Sequence, residues 1–168
     1  EALGQLIGDI KQQNDHLAQT QFTENFTVNT ILQDAAYRAA QSDIRFEALV
    51  SVPPQLTVAE SDLCELLMNM LDNALEAAAE ADAGKRFVRF QIETNNGFLA
   101  VKCENSYAGK RRQDAYGNYV TTKNDAETHG FGLKLMSAVA VRYHSILDIF
   151  TSENQTFTVQ TALKLPKK

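Results

Sequence analysis

Residues 62–78, DLCELLMNMLDNALEAA, constrain the fold more than any other stretch of the chain. At helical spacing Leu63, Leu66, Leu67, Met70, Leu71, Ala74, Leu75 and Ala78 share one broad side. An apolar stripe that wide has to be covered by other elements, so this helix belongs in a core. The opposite side carries Asp62, Glu65, Asn69, Asn73 and Glu76. The outer side of a helix is ordinarily filled by Lys and Glu, which favour helix and sit well in water. Here no Lys or Arg occurs between Arg45 and Lys85. Asn is costly in mid-helix because its side chain competes for backbone hydrogen bonds. A pair of asparagines one turn apart, on a face without cations, calls for a chemical reason.

The flanking segments set the architecture. Residues 1–20 predict an amphipathic helix whose narrow stripe, Leu3, Leu6, Ile7, Ile10 and Leu17, suits pairing with a partner helix. A second helix is expected to run to about Gln41, capped by Thr27 or Asn29. IRFEALVSV alternates and is β-branched, which predicts a strand ended by Pro53 and Pro54. Ser61 or Asp62 is expected to open the long helix, which closes near Gly84. RFVRFQIET and FLAVKCEN flank an Asn-Gly, the strongest short-range hairpin signal. Residues 105–130 are polar, turn-rich and without periodicity, and a loop that long in a compact domain is expected to be functional or disordered. FGLKLMSAVAVRYH predicts a helix with Leu133, Met136, Val139 and Ala140 inward, and SILDIFTSE and TFTVQTALKL a last pair of strands. This order predicts an α/β two-layer sandwich, a mixed and largely antiparallel sheet covered by helices on one face.

Composition narrows the function classes. A length of 168 residues suits one domain with a normal core. The net charge of −5 argues against a non-specific nucleic-acid binder, and the local cluster of Lys110, Arg111 and Arg112 reads as a solvated loop. Cys64 and Cys103 fall in an expected helix and strand and read as buried thiols rather than a disulfide framework. No stretch approaches the roughly 20 apolar residues of a membrane span. The chain begins at Glu1 inside a helical pattern, so we expect a piece of a longer protein.

A second motif gives the asparagines a partner. In THGFGLKL, Gly130 and Gly132 are expected to end the long loop and open the next helix. Free backbone N–H groups at a helix start, approached closely through glycine, make an anion seat. The spacing is not that of a Walker loop, and no strand directly precedes it.

Taken in order, the Asn-rich helix face, the hairpin, the long loop and the Gly-x-Gly helix resemble the GHKL ATPase superfamily over roughly residues 22–165. ELLMNMLDNALEA is similar to its N box of the histidine-kinase kind, and HGFGLKLM to the glycine box that closes the lid. The resemblance is strongest to the kinases that sense peptide pheromones. It includes His129 before Gly-x-Gly-Leu-Lys, the run Thr121, Thr122 and Lys123, and the opening Asn25 and Asn29.

The resemblance implies a Bergerat-type ATP-binding fold with ATP and Mg²⁺ as cofactors. It makes Asn73 the direct Mg²⁺ ligand and Asn69 a second ligand or a positioner. It places Glu65 and Glu76 near metal-bound water. A neutral amide oxygen suits Mg²⁺ without adding charge beside the triphosphate. His129, Gly130, Phe131, Gly132, Leu133 and Lys134 would contact the nucleotide. Kinase relatives often carry Lys where this chain has Glu76, so the phosphate contact passes to Lys123 or Lys134. The family's adenine-binding Asp has no counterpart in CENSYAG, where Asn105 is the first candidate and Glu104 the second.

The function implied is that of the catalytic domain of a two-component sensor histidine kinase. Residues 1–21 would be the end of a dimerisation hairpin and residues 22–168 the ATP-binding domain, with its lid at 105–130. The γ-phosphate would go to a histidine outside this chain, because His16 is followed by Leu17 rather than an acidic residue. Implied partners are a response regulator and a second copy paired through the N-terminal helices. The domain would be cytoplasmic, its parent anchored in the inner or plasma membrane through segments upstream. The alternatives are an anti-sigma-factor-type serine kinase and a non-catalytic module of the same fold.

Overall fold

The computed structural model describes residues 1–109, 112–113, 119–120 and 126–168. Helix α1 spans Ala2–Ala18 and α2 spans Phe26–Gln41; strand β1 follows at Arg45–Ser51 and helix α3 at Glu60–Ala79. Strands β2 (Phe87–Asn95) and β3 (Phe98–Ser106) form the expected hairpin. The short strands β4 (Arg112–Gln113) and β5 (Tyr119–Val120) pair with each other. Helix α4 (Ala126–Arg142) and strands β6 (Asp148–Ser152) and β7 (Thr156–Lys164) complete the chain.

The main sheet has the order β1-β2-β3-β7-β6. Only β1 and β2 run parallel within it, as a pair joined through a helix can; the other neighbours are antiparallel. The tight turn between β2 and β3 is Asn96–Gly97, with φ of 50° and 83°. Positive φ at both central residues marks a type I′ turn, which matches the twist of the strands it joins. This is the expected mixed, largely antiparallel sheet of an α/β two-layer sandwich.

Helix α3 lies across β2 and β3. Every residue of its expected stripe is buried: Leu63, Leu66, Leu67, Met70, Leu71, Ala74, Leu75 and Ala78. They meet Val88, Phe90 and Ile92 of β2 and Leu99, Val101 and Cys103 of β3. The other face of the sheet carries Glu47, Leu49, Arg89, Gln91 and Glu93, all exposed. Among the described residues no helix is long and apolar enough to cross a membrane.

Several boundaries differ from expectation. The α2 cap is Asn25, not Thr27 or Asn29; its side chain accepts a hydrogen bond from Val28 N at 3.1 Å. Asn29 instead accepts from Phe22 N at 2.8 Å, and the Thr27 hydroxyl donates to Glu60. Helix α3 starts at Glu60, with no side-chain cap at Ala59. The Tyr143 hydroxyl, remote in sequence, accepts the Ala59 N–H at 3.0 Å and frees Asp62 for other contacts. The helix ends at Ala79, and Gly84 serves the turn beyond it with φ of 87°.

The largest difference concerns α4, which begins at Ala126 rather than at Phe131. Gly130 and Gly132 therefore lie inside a helix rather than opening one. A mid-helix glycine weakens a helix by about 1 kcal/mol relative to Ala. The contact that Gly132 makes with α3 gives a reason for it there.

Candidate functional site

The long polar face of α3 is bracketed from both sides. Helix α4 packs against it, and Gly132 is buried in the contact. A methyl group on Gly132 would lie 3.4 Å from Asn73 Nδ2 and 3.5 Å from the Oδ1 atoms of Asn69 and Asn73. The absent side chain thus lets α4 approach both asparagine amides, with the Asn73 Nδ2 and the two Oδ1 atoms grouped around one point. The Asn69 amide is oriented: its Nδ2 donates to the Glu65 carbonyl at 2.6 Å, which turns Oδ1 away from the helix backbone. Two neutral oxygens one turn apart suit a hard divalent cation that keeps several other oxygen ligands. The donor set fits Mg²⁺.

The cations missing from α3 come from its neighbours. Arg38 of α2 pairs with Asp72 at 2.7 Å and with Asp34 of its own helix at 3.1 Å. Arg142, at the end of α4, pairs with Asp62 and reaches Glu65 at 3.7 Å. The Tyr143 hydroxyl donates to Asp62 at 2.6 Å. Burial pushes the Tyr143 hydroxyl above its ordinary range, and the bond to Asp62 adds to the effect. These contacts clamp the C-terminal end of α4 onto the first turn of α3. The two helices run antiparallel, so the clamp sits at one end of the contact and Gly132 nearer the other. No signal in the sequence pointed to this clamp, whose partners lie 80 residues apart.

The remaining expected residues divide by place. Asn105 is buried on the helix-facing side of β3, its Nδ2 donating to the Ser106 carbonyl at 2.8 Å. Glu104 is on the other side of the sheet, paired with Lys102 at 3.1 Å and Arg89 at 3.4 Å. It is not brought to the asparagine face, and alternation along β3 is the reason: Cys103 and Asn105 point inward and Glu104 outward. Glu76 is exposed on the same side of α3 as Asn69 and Asn73. Leu133 is half-buried against the core, while Phe131 and Lys134 are exposed. Gly130 falls within α4, whereas Lys123 and the His129 side chain lie outside the described residues.

A family model described as a GHKL domain matches residues 58–164, from the start of α3 through β7. The chain belongs to the GHKL family. No curated protein sequence is similar enough to this GHKL domain to match it. Solved structures share its fold. The catalytic domain of histidine kinase ThkA, in a nucleotide-free form, is 16% identical with a TM-score of 0.62 over 88% of this chain and 98% of that one. The histidine kinase AdeS of Acinetobacter baumannii is 13% identical with a TM-score of 0.56 over 99% of this chain and 77% of that one. Full-length ShkA in complex with AMPPNP is 14% identical with a TM-score of 0.62; the GHKL domain is covered to 89% but spans only 31% of ShkA.

Proposed function

We propose that this GHKL domain is the ATP-binding catalytic domain of a two-component sensor histidine kinase. The observation that carries the reading is the seating of Gly132 against the paired amides of Asn69 and Asn73. In this reading Asn73 and Asn69 hold Mg²⁺ by their Oδ1 atoms. The ion, when bound, neutralises charge on the nucleotide phosphates. The chain itself supplies position. The Glu65 carbonyl fixes the Asn69 amide. The Asp62–Tyr143–Arg142 clamp sets the spacing of α3 and α4. Asn105, buried beneath the helix layer, is the adenine contact. Lys134, exposed on α4, and Lys123 are the phosphate cations, with His129 to Leu133 closing over the nucleotide and Glu76 near the metal's water.

The γ-phosphate goes to a histidine outside this chain, and a response regulator receives it next. The parent protein dimerises through helices continuous with α1 and is anchored in the plasma membrane, with this domain in the cytoplasm. The run from His129 to Lys134 and Asn105 in place of Asp support kinship with the pheromone-sensing kinases.

The test is thermal unfolding with ATP, with and without Mg²⁺. A ligand at about 100 times its Kd stabilises by about 2.7 kcal/mol. The expected result is a Mg²⁺-dependent rise that Asn73→Ala abolishes. An unchanged rise in that variant refutes the site. A second reading, a GHKL module that has lost its nucleotide, draws support from α4 covering the asparagine face; no rise at millimolar ATP would favour it.

A further inference from the structure

Strand β1 is an outer strand of the main sheet, so one side of its backbone has no strand partner. Such an edge offers unpaired N–H and C=O groups that proteins cover or blunt. Here α1 covers part of it. Asn14 is fully buried, its Nδ2 donates to the Ile44 carbonyl, and its Oδ1 accepts the Phe46 N–H at 3.1 Å. One side-chain amide thus replaces the two backbone bonds a neighbouring strand would make. Ile10, one turn earlier, is buried as well. Further up the helix, Leu3 and Leu6 rest on Gly84: a Cβ there would lie 2.8 Å from Leu3 Cδ1 and 3.3 Å from Leu6 Cδ2. The seat is specific.

The hold is also thin. Among the described side chains of α1, Ile10 and Asn14 are the buried ones. Gly4 and Gly8 lie in the helix with nothing within 4 Å of a Cβ built on either, so no close approach requires them. Each glycine lowers the folded-to-unfolded ratio of a helix roughly fivefold relative to Ala. A helix that carries two glycines, packs along α2 and buries only Ile10 and Asn14 among its described side chains is suited to opening by itself, below the free energy of global unfolding.

We propose that α1 is a releasable cap on the β1 edge, latched by Asn14. Release exposes the edge at Ile44 and Phe46 and frees the stripe of Leu3, Leu6, Ile7 and Ile10. Ile10 cannot be buried against this domain and paired with another helix at once, so docking on β1 and helix pairing exclude each other. The latch is independent of the nucleotide reading and needs no ligand to test.

The Phe46 amide, which donates to Asn14, reports the latch directly in native-state hydrogen exchange of the 168-residue chain. In the wild type it is expected to exchange faster than the central amides of β3, which open only globally. Asn14→Ala is expected to speed it at least about tenfold, the effect of losing a buried hydrogen bond. Gly4→Ala with Gly8→Ala removes no contact and is expected to slow it about tenfold or more. This second variant keeps the test alive if Asn14→Ala does not fold. Exchange at Phe46 that matches β3 in the wild type overturns the proposal. So does a Phe46 rate that the paired glycine substitutions leave unchanged, since only opening of α1 as a unit transmits their effect.

Discussion

Gly132→Ala separates the stability of the α3–α4 contact from its use. The added methyl would lie 3.4 Å from the Asn73 Nδ2 and 3.5 Å from the Oδ1 atoms of Asn69 and Asn73, ordinary van der Waals contact rather than a clash. Gly132 is inside α4, and replacing Gly by Ala at a compatible position gains about 0.4–1 kcal/mol, chiefly by restricting the unfolded chain. For a domain of this length 1 kcal/mol corresponds to about 2–4 °C in Tm. The ligand-free Tm is therefore expected to rise by about 1–4 °C. The same methyl fills the point around which both Oδ1 atoms and the Asn73 Nδ2 are grouped, so with the metal held there the Mg²⁺–ATP stabilisation should vanish. In the wild type that stabilisation is about 2.7 kcal/mol at 100 times Kd, or roughly 5–11 °C. Differential scanning fluorimetry with and without Mg²⁺–ATP reads both quantities on one sample. A stabilised variant that no longer responds to ligand is the expected pattern. A lower ligand-free Tm would refute the helical packing of Gly132, and a full ligand response would refute the asparagine face as the metal site.

Three further outcomes follow from the same geometry. Tyr143→Phe removes the hydroxyl that links Asp62 to Ala59 N and should cost about 1–3 kcal/mol near neutrality. Because the native tyrosine titrates above its unfolded value of about 10, its contribution is complete below that pH and lost above it. Urea unfolding at pH 8 and at pH 11 should show the gap between variant and wild type shrinking, and a constant gap would count against the bond. Asn25→Ala removes the α2 cap and the bonds from Nδ2 to the Pro53 and Pro54 carbonyls, and should cost about 1–2 kcal/mol by denaturant unfolding. Burial pushes the Cys103 thiol well up, with Glu104 adding to it, so alkylation of the native chain should modify Cys64 first; equal rates would refute the burial.

What was legible in the sequence shares one property: it depends on neighbours close along the chain. The α3 stripe is complete because a helical period repeats over many residues, and one wrong residue would not hide it. The β2–β3 hairpin is legible because Asn96 and Gly97 are suited to the positive φ that a two-residue turn demands. Alternation along β3 also carried the inward placement of Asn105 and the outward placement of Glu104, a signal that naming both as adenine contacts left unused. The α2 cap was missed by a few residues because Asn25, Thr27 and Asn29 are all good capping types, and only the path of the chain decides which reaches a free N–H.

The sequence by itself determined the fold class, the core face of α3 and the pair of asparagines on its polar face, since each follows from local periodicity and residue chemistry. Tertiary structure alone decided what meets that face. Gly132 comes to Asn69 and Asn73 across a gap of about 60 residues, Arg38 and Arg142 supply cations that α3 lacks, Tyr143 takes the place of a helix cap, and Asn14 closes the β1 edge. Each of these joins a single side chain to a partner remote in sequence. A lone polar residue has no period to announce its partner, and the contact exists only once the sheet and helices have brought the two together.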